Sequence, residues 1–135
     1  MSDHLKEIPP AAKLLGREIV SVDPQSGEVT LRFTAKEEFA NRHGTVQGGM
    51  LAAMLDSATG NAVMARFPPH LTAVTIRLDT QFLKPAALGT IVATACLVHQ
   101  DERSAEVLAE LTDSDGQVVA KARAELRVRE RKNRP

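Results

Sequence analysis

The sequence predicts an α+β domain in which a curved antiparallel sheet wraps around one long central helix. Three observations lead there. The residues from Gly48 to Phe67 form a long apolar stretch at helical spacing. The segments on either side alternate apolar and polar residues with the period of two that marks strands. The strands after the helix follow in close succession, so they can pair as a meander and offer the helix one broad apolar face.

Pro9-Pro10 followed by Ala-Ala-Lys-Leu-Leu predicts a short helix over 9–15, because proline is tolerated in a first helical turn, and Gly16 ends it. Asp23-Pro24-Gln25-Ser26-Gly27 is a turn. In the next segment Val29, Leu31 and Phe33 alternate with Glu28, Thr30 and Arg32, a half-buried strand. Residues 35–47 read as irregular. The long helix opens at Gly48-Gly49, and Met50, Leu51, Met54, Leu55, Ala58 and Ala62 fall at helical spacing. Ala52, Ala53 and Val63 make its other faces small or apolar too, which marks a buried helix. Phe67-Pro68-Pro69 closes it.

Beyond it, Val74, Ile76 and Leu78 alternate with Thr75, Arg77 and Asp79, and Pro85 and Gly89 mark a turn. From Thr90 to His99 both alternating sets are fairly apolar, as for a central strand covered on both faces. Ala105, Val107, Ala109 and Leu111 form the inner set of the next strand, and Asp113-Ser114-Asp115-Gly116 is a hairpin loop. The last strand sets Val118, Ala120, Ala122, Ala124, Leu126 and Val128 against Lys121, Arg123, Glu125, Arg127 and Arg129.

A chain of 135 residues fits a single domain spanning 1–135, with no repeat or linker dividing it. Lys plus Arg and Asp plus Glu each number 17, so no net field favours nucleic acid or an anionic membrane. There is no Trp or Tyr and only four Phe, too few to stack single-stranded nucleic acid. The basic segment from Arg127, ending in a tail over 130–135, reads either as a frayed, solvated terminus or as a contact for ligand phosphates. No signal-peptide core is present and no apolar run is long enough to span a bilayer, so the expected location is cytoplasmic. The single cysteine, Cys96, allows no internal disulfide and reads as strand packing. His4, His43, His70 and His99 are dispersed, and no metal is expected. No Gly-x-Ser-x-Gly elbow or phosphate-binding glycine loop occurs.

The informative stretch is Asn41-Arg42-His43-Gly44-Thr45-Val46-Gln47-Gly48-Gly49, leading through Met50-Leu51-Ala52-Ala53-Met54-Leu55 to Asp56. Gly48 and Gly49 open a helix with no side chains in the way. The first backbone N–H groups of a helix lack internal partners and lie at the positive end of its dipole, so they can receive a developing oxyanion. Asp56 is a carboxylate in an apolar helix. If it is buried it must be paired or perform a task, and removal from water favours the protonated form, the direction useful for proton transfer. If it is exposed, it belongs to a polar edge with Ser57 and Asn61. The residues alone leave both readings open.

The run N-x-x-G-T-V-Q-G-G-M-L-A-A-M-L-D-S-A resembles the signature of the PaaI-like hot-dog acyl-CoA thioesterases, N-x-x-G-x-x-H-G-G with an acid eight positions after the first paired glycine. Phe82-Leu83-Lys84-Pro85 and Gly89 resemble the family's aromatic-x-x-Pro turn, and the strand order matches over residues 28–129. The resemblance implies the hot-dog fold and hydrolysis of an acyl-CoA to a carboxylic acid and free CoA, with no bound cofactor or metal. It implies that the Gly48 N–H polarises the thioester carbonyl and that Asp56 is general base or nucleophile. It implies that Asn41 positions the water or the loop. Gly49 is a candidate to line the substrate site, and His43, in the motif loop, reads either as lining it or as a loop histidine held by backbone hydrogen bonds. Gln47 stands where the family has His; it can hydrogen-bond but cannot shuttle protons near neutral pH. Lys84 stands where relatives carry a water-orienting hydroxyl, and it also reads as a solvated strand-end lysine. Arg103 and Arg127 are candidates for CoA phosphates.

Eight residues of helix span roughly 12 Å, whereas catalytic groups must lie about 3 Å from the reacting atoms. Gly48 and Asp56 of one chain therefore cannot serve one carbonyl. A two-fold homodimer with antiparallel helices brings them together, and the resemblance implies dimers or homotetramers built as dimers of dimers. Competing readings are a non-catalytic acyl-CoA-binding module on the same fold and a dehydratase acting on hydroxyacyl thioesters, the latter needing a His–acid pair that His43 is poorly placed to form.

Overall fold

The computed structural model describes residues 8–132. Its elements are helix α1 (Pro10–Leu14), strands β1 (Glu18–Val22) and β2 (Val29–Ala35), and a 3-10 turn at Glu37–Phe39. Helix α2 (Gly48–Met64) follows, then strands β3 (Leu71–Phe82), β4 (Gly89–Gln100), β5 (Ser104–Thr112) and β6 (Val118–Glu130). The strands form one antiparallel sheet in the order β1-β2-β4-β5-β6-β3, with α2 against one face. This is the hot-dog arrangement that the periodicity predicts.

The core follows from the two periods. Leu51, Met54, Leu55, Ala58 and Ala62 are buried on α2, at the i, i+3, i+4, i+7 positions of one face. They meet Val29, Leu31 and Phe33 of β2, Ile91 and Ala93 of β4, Val107 and Leu111 of β5, and Ala124 and Leu126 of β6. Burying each large aliphatic or aromatic side chain contributes about 1.5–3 kcal/mol. Polar residues inside this layer fold back onto the helix. Thr59 Oγ1 donates to the Leu55 carbonyl at 3.0 Å, and Asn61 Nδ2 to the Ser57 carbonyl at 2.7 Å. Among the described residues no buried side-chain nitrogen or oxygen lacks a partner.

The structure corrects the sequence reading in five places. Strand β1 was not expected; a register shift between Ile19 and Ser21 breaks its alternation, so no period of two is legible there. Strand β3 does not lie beside β4 in a simple meander but pairs with β6 at the far edge. The connection from Leu83 to Leu88 must therefore pass the ends of β6 and β5, about 14 Å at roughly 4.8 Å per strand, within the reach of six residues. A register shift between Thr75 and Arg77 inverts the alternation of β3 midway, leaving Val74 and Ile76 exposed while Leu78 packs against the core. The central strand β4 is covered by the helix on one face only: Ile91, Ala93 and Ala95 are buried, whereas Val92, Thr94 and Cys96 on its other face are half-buried. The basic segment from Arg127 to Glu130 belongs to β6, and the Arg131 N–H donates to the His70 carbonyl at 2.7 Å. The tail beyond residue 132 lies outside the described residues, as do His4 and the chain before residue 8.

Candidate active site

The segment before α2 is organised by Asn41. Its Oδ1 accepts the backbone N–H groups of His43 at 2.9 Å and Thr45 at 3.2 Å, an Asx-type turn in which Gly44 adopts a positive φ of 81°. Its Nδ2 donates to Thr45 Oγ1 at 3.0 Å, so both ends of the amide are engaged. Asn41 thus shapes the loop, while His43 projects from it exposed. The loop is tied down further: the Gln47 N–H donates to the Phe39 carbonyl at 2.8 Å and the Val46 N–H to the Ala86 carbonyl at 2.9 Å.

Gln47 is the N-cap of α2, and its side chain makes no capping bond. Its carbonyl receives the N–H groups of Met50 and Leu51. The N–H groups of Gly48 and Gly49, the first two of the helix, have no acceptor among the described residues. Gly49 is exposed and Gly48 half-buried. A Cβ on Gly49 would meet nothing within 4 Å, and one on Gly48 would meet the Phe82 ring first, at 3.5 Å. Two donors at the positive end of a helix are therefore open to an acceptor.

Asp56 lies in the middle of α2, exposed in the protomer, on the side of the helix that meets β3. Of its two sequence readings, exposure is what the single chain shows. It does not share a polar edge with its neighbours: Ser57 is half-buried and Asn61 buried. Thr75 Oγ1 of β3 donates to Asp56 Oδ1 at 2.8 Å. No sequence spacing relates positions 56 and 75, and strict alternation would send Thr75 outward with Arg77; the bulge at Ile76 is what turns it toward the helix. Thr75 is the functional candidate that sequence reasoning missed.

Lys84 lies away from that pair. Its Nζ is 3.3 Å from Asp113 Oδ2 and donates to Gln117 Oε1, fastening the turn after β3 to the β5–β6 hairpin. The Gln117 backbone N–H, with Lys84 adding to it, holds the Asp113 carboxyl below the usual carboxylate range. Arg103 and Arg127 lie on the sheet face opposite α2, around a shallow hollow also lined by Asp101, Glu102 and Glu125. Among the described residues no three His, Cys, Asp or Glu side chains cluster to hold a metal, and no helix is long and apolar enough to cross a membrane.

The arrangement provides two unpartnered helix-end amides and a hydroxyl-bonded carboxylate, suited to polarising a carbonyl and activating water. The two components lie on one helix, too far apart to act on one atom.

Comparison with known proteins gives consistent matches. The model of the thioesterase superfamily matches residues 43–120, more than half of the chain. The acyl-coenzyme A thioesterase PaaI of Escherichia coli is 32% identical over 110 residues, 81% of this chain and 75% of that protein. Human acyl-coenzyme A thioesterase 13 is 30% identical over 115 residues, 82% of this chain and 79% of that one. Among solved structures, a phenylacetic acid degradation-related protein of Ralstonia eutropha superposes with a TM-score of 0.87 at 35% identity, over 92% of this chain and 96% of that one.

Proposed function

Because this chain belongs to the thioesterase superfamily and is a thioester hydrolase, we propose that it cleaves acyl-CoA to a carboxylic acid and CoA in a site shared by two protomers. One protomer supplies Asp56 and Thr75; the other supplies the helix-end amides of the partner's Gly48 and the partner's Gly49.

The observation that carries this reading is the Asp56–Thr75 pair at 2.8 Å beside an edge strand. Strand β3 is twelve residues long, borders the sheet and exposes Val74 and Ile76. An edge of that length offers its free backbone groups to another strand. A second copy adding its own β3 in antiparallel fashion forms a two-fold interface, turns the two α2 helices head to tail, and brings each Asp56 toward the opposite helix N-terminus.

In such a site the thioester oxygen accepts the Gly48 N–H, which stabilises the charge that grows there in the transition state. Thr75, whose hydroxyl donates to Asp56 Oδ1, presents its oxygen lone pairs to a water. Asp56 removes a proton from that water as its oxygen bonds to the carbonyl carbon. The tetrahedral intermediate then collapses, the C–S bond breaks, and the thiolate leaves and takes up a proton. Thiolate is a good leaving group, and no cofactor or metal enters the scheme. Asn41 keeps the loop in shape; His43 and Gln47 are exposed in the segment leading to the helix end, and on this reading they meet the substrate there. Lys84 acts at one remove, through Asp113 and Gln117.

The deciding experiment measures free thiol released from a panel of acyl-CoAs. Asp56→Asn lowers kcat by about 10²–10⁴-fold with folding and assembly intact. Near-normal turnover in that variant eliminates the mechanism. Single turnover in ¹⁸O-water places label in the product acid only; label on Asp56 would establish the anhydride route instead.

A further inference from the structure

We propose that Phe82 sets acyl-group preference, its exposed ring forming an apolar wall beside the helix-end amides that receives the acyl group next to the thioester carbonyl. This rests on the hydrolase reading above and goes beyond it, from mechanism to substrate class.

The first observation is proximity. The nearest atoms to a Cβ built on Gly48 belong to the Phe82 ring, with Cε1 and Cζ each 3.5 Å away. The ring therefore lies in van der Waals range of the space a substrate enters when its carbonyl reaches the Gly48 N–H. The second is exposure without reason in the protomer. Phe82 is 54% exposed and Leu83 50%, in a chain with only four phenylalanines. By contrast Phe33, Phe39 and Phe67 are all buried. An aromatic ring left half in water at the end of a strand is an apolar surface awaiting contact.

The third is rigidity. The Leu83 N–H donates to the Val119 carbonyl at 2.8 Å, and the Val46 N–H to the Ala86 carbonyl at 2.9 Å. Lys84 is fastened to Asp113 and Gln117. Phe82 thus projects from a turn tied to strand β6, to the hairpin and to the loop before α2, and directly across the sheet it faces Ala120, which adds no bulk. A wall held this way defines a shape instead of yielding to it.

The chemistry of the ligand identifies what meets the ring. A thioester carbonyl carries two substituents. The pantetheine arm behind the sulfur is rich in amides and needs polar partners, whereas an alkyl or aryl acyl group needs apolar area. The ring suits the acyl side. Short or medium alkyl and aryl acyl groups fit such a wall, and a carboxylated acyl group does not, because the ring would desolvate its charge without pairing it.

The test compares Phe82→Ala and Phe82→Leu with the parent on hexanoyl-CoA, phenylacetyl-CoA and succinyl-CoA. In Phe82→Ala the ratio of kcat/KM for the apolar substrates over succinyl-CoA falls about tenfold or more, chiefly through KM, and Phe82→Leu recovers most of it. A parallel calorimetric measurement uses S-hexyl-CoA, which lacks a cleavable carbonyl, against CoA itself. The parent binds the hexyl thioether more tightly than CoA, and Phe82→Ala loses that preference. An unchanged ratio, or an equal loss on all three substrates, overturns the proposal. A parent that releases no thiol from any acyl-CoA refutes the hydrolase reading instead, while the thioether measurement still reports on the ring.

Discussion

Asp56 and Thr75 show how far single residues could be read in advance. Asp56 was legible because a lone carboxylate in an apolar helical run is conspicuous. Thr75 was not, because a strand threonine carries no signal of its own and the alternation around it suggested the wrong face. Thr75 is the fifth residue of β3, and no pattern in the sequence marks the hydroxyl that donates to Asp56 there. If Thr75 orients the base and its water, Thr75→Val, which keeps the shape and loses the hydroxyl, lowers kcat by about 10–100-fold with a smaller change in KM. Thr75→Ser restores most of the rate, because the donor to Asp56 returns. A purely structural threonine would show the opposite pattern, with valine tolerated and thermal stability, not kcat, responding to the change.

At the scale of elements, the start of α2 was the most readable part of the chain. The paired glycines, the loop Asn and the apolar run behind them each have a local cause, and the structure places the helix start at Gly48. Strand β1 was hidden by the register shift that breaks its alternation, and the bulge in β3 and the β3–β6 pairing had no local cause to read, because they depend on which distant strand lies alongside. One element-level prediction concerns the turn that carries Phe82. Asp113 accepts the Gln117 N–H and is bound by Lys84, which lowers its pKa in the fold relative to the unfolded chain. The stabilisation this gives is complete above the ordinary carboxylate pKa of about 3.9 and is lost as pH falls below it toward the depressed folded value. The Asp113 contribution to Tm is therefore lost as pH drops below about 4, and Asp113→Asn removes that part of the dependence. An identical Tm–pH profile in the variant would exclude Asp113 as a contributor.

For the whole molecule the question is whether one chain holds a complete site. The sheet has two unlike edges: β1 is five residues long and β3 twelve, so β3 is the edge with more unpaired backbone to offer. A substitution can delete the oxyanion donor without breaking the helix. Gly48 is the first residue of α2, where proline is well tolerated, and Gln47 before it already has φ −57° and ψ 132°, the extended conformation a following proline requires. A proline Cβ there meets Phe82 at ordinary contact distance. Gly48→Pro therefore removes the N–H, puts a ring carbon in its place and keeps the helix start, and lowers kcat by about 10²–10³-fold or more. Asp56→Asn is inactive for the other reason. If each site takes its carboxylate from one protomer and its amide from the other, unfolding and refolding the two variants together creates mixed dimers. In each mixed dimer one site has both defects and the other has none, so random reassortment restores about a quarter of the parent activity. Sites contained within single chains would give no recovery at any mixing ratio.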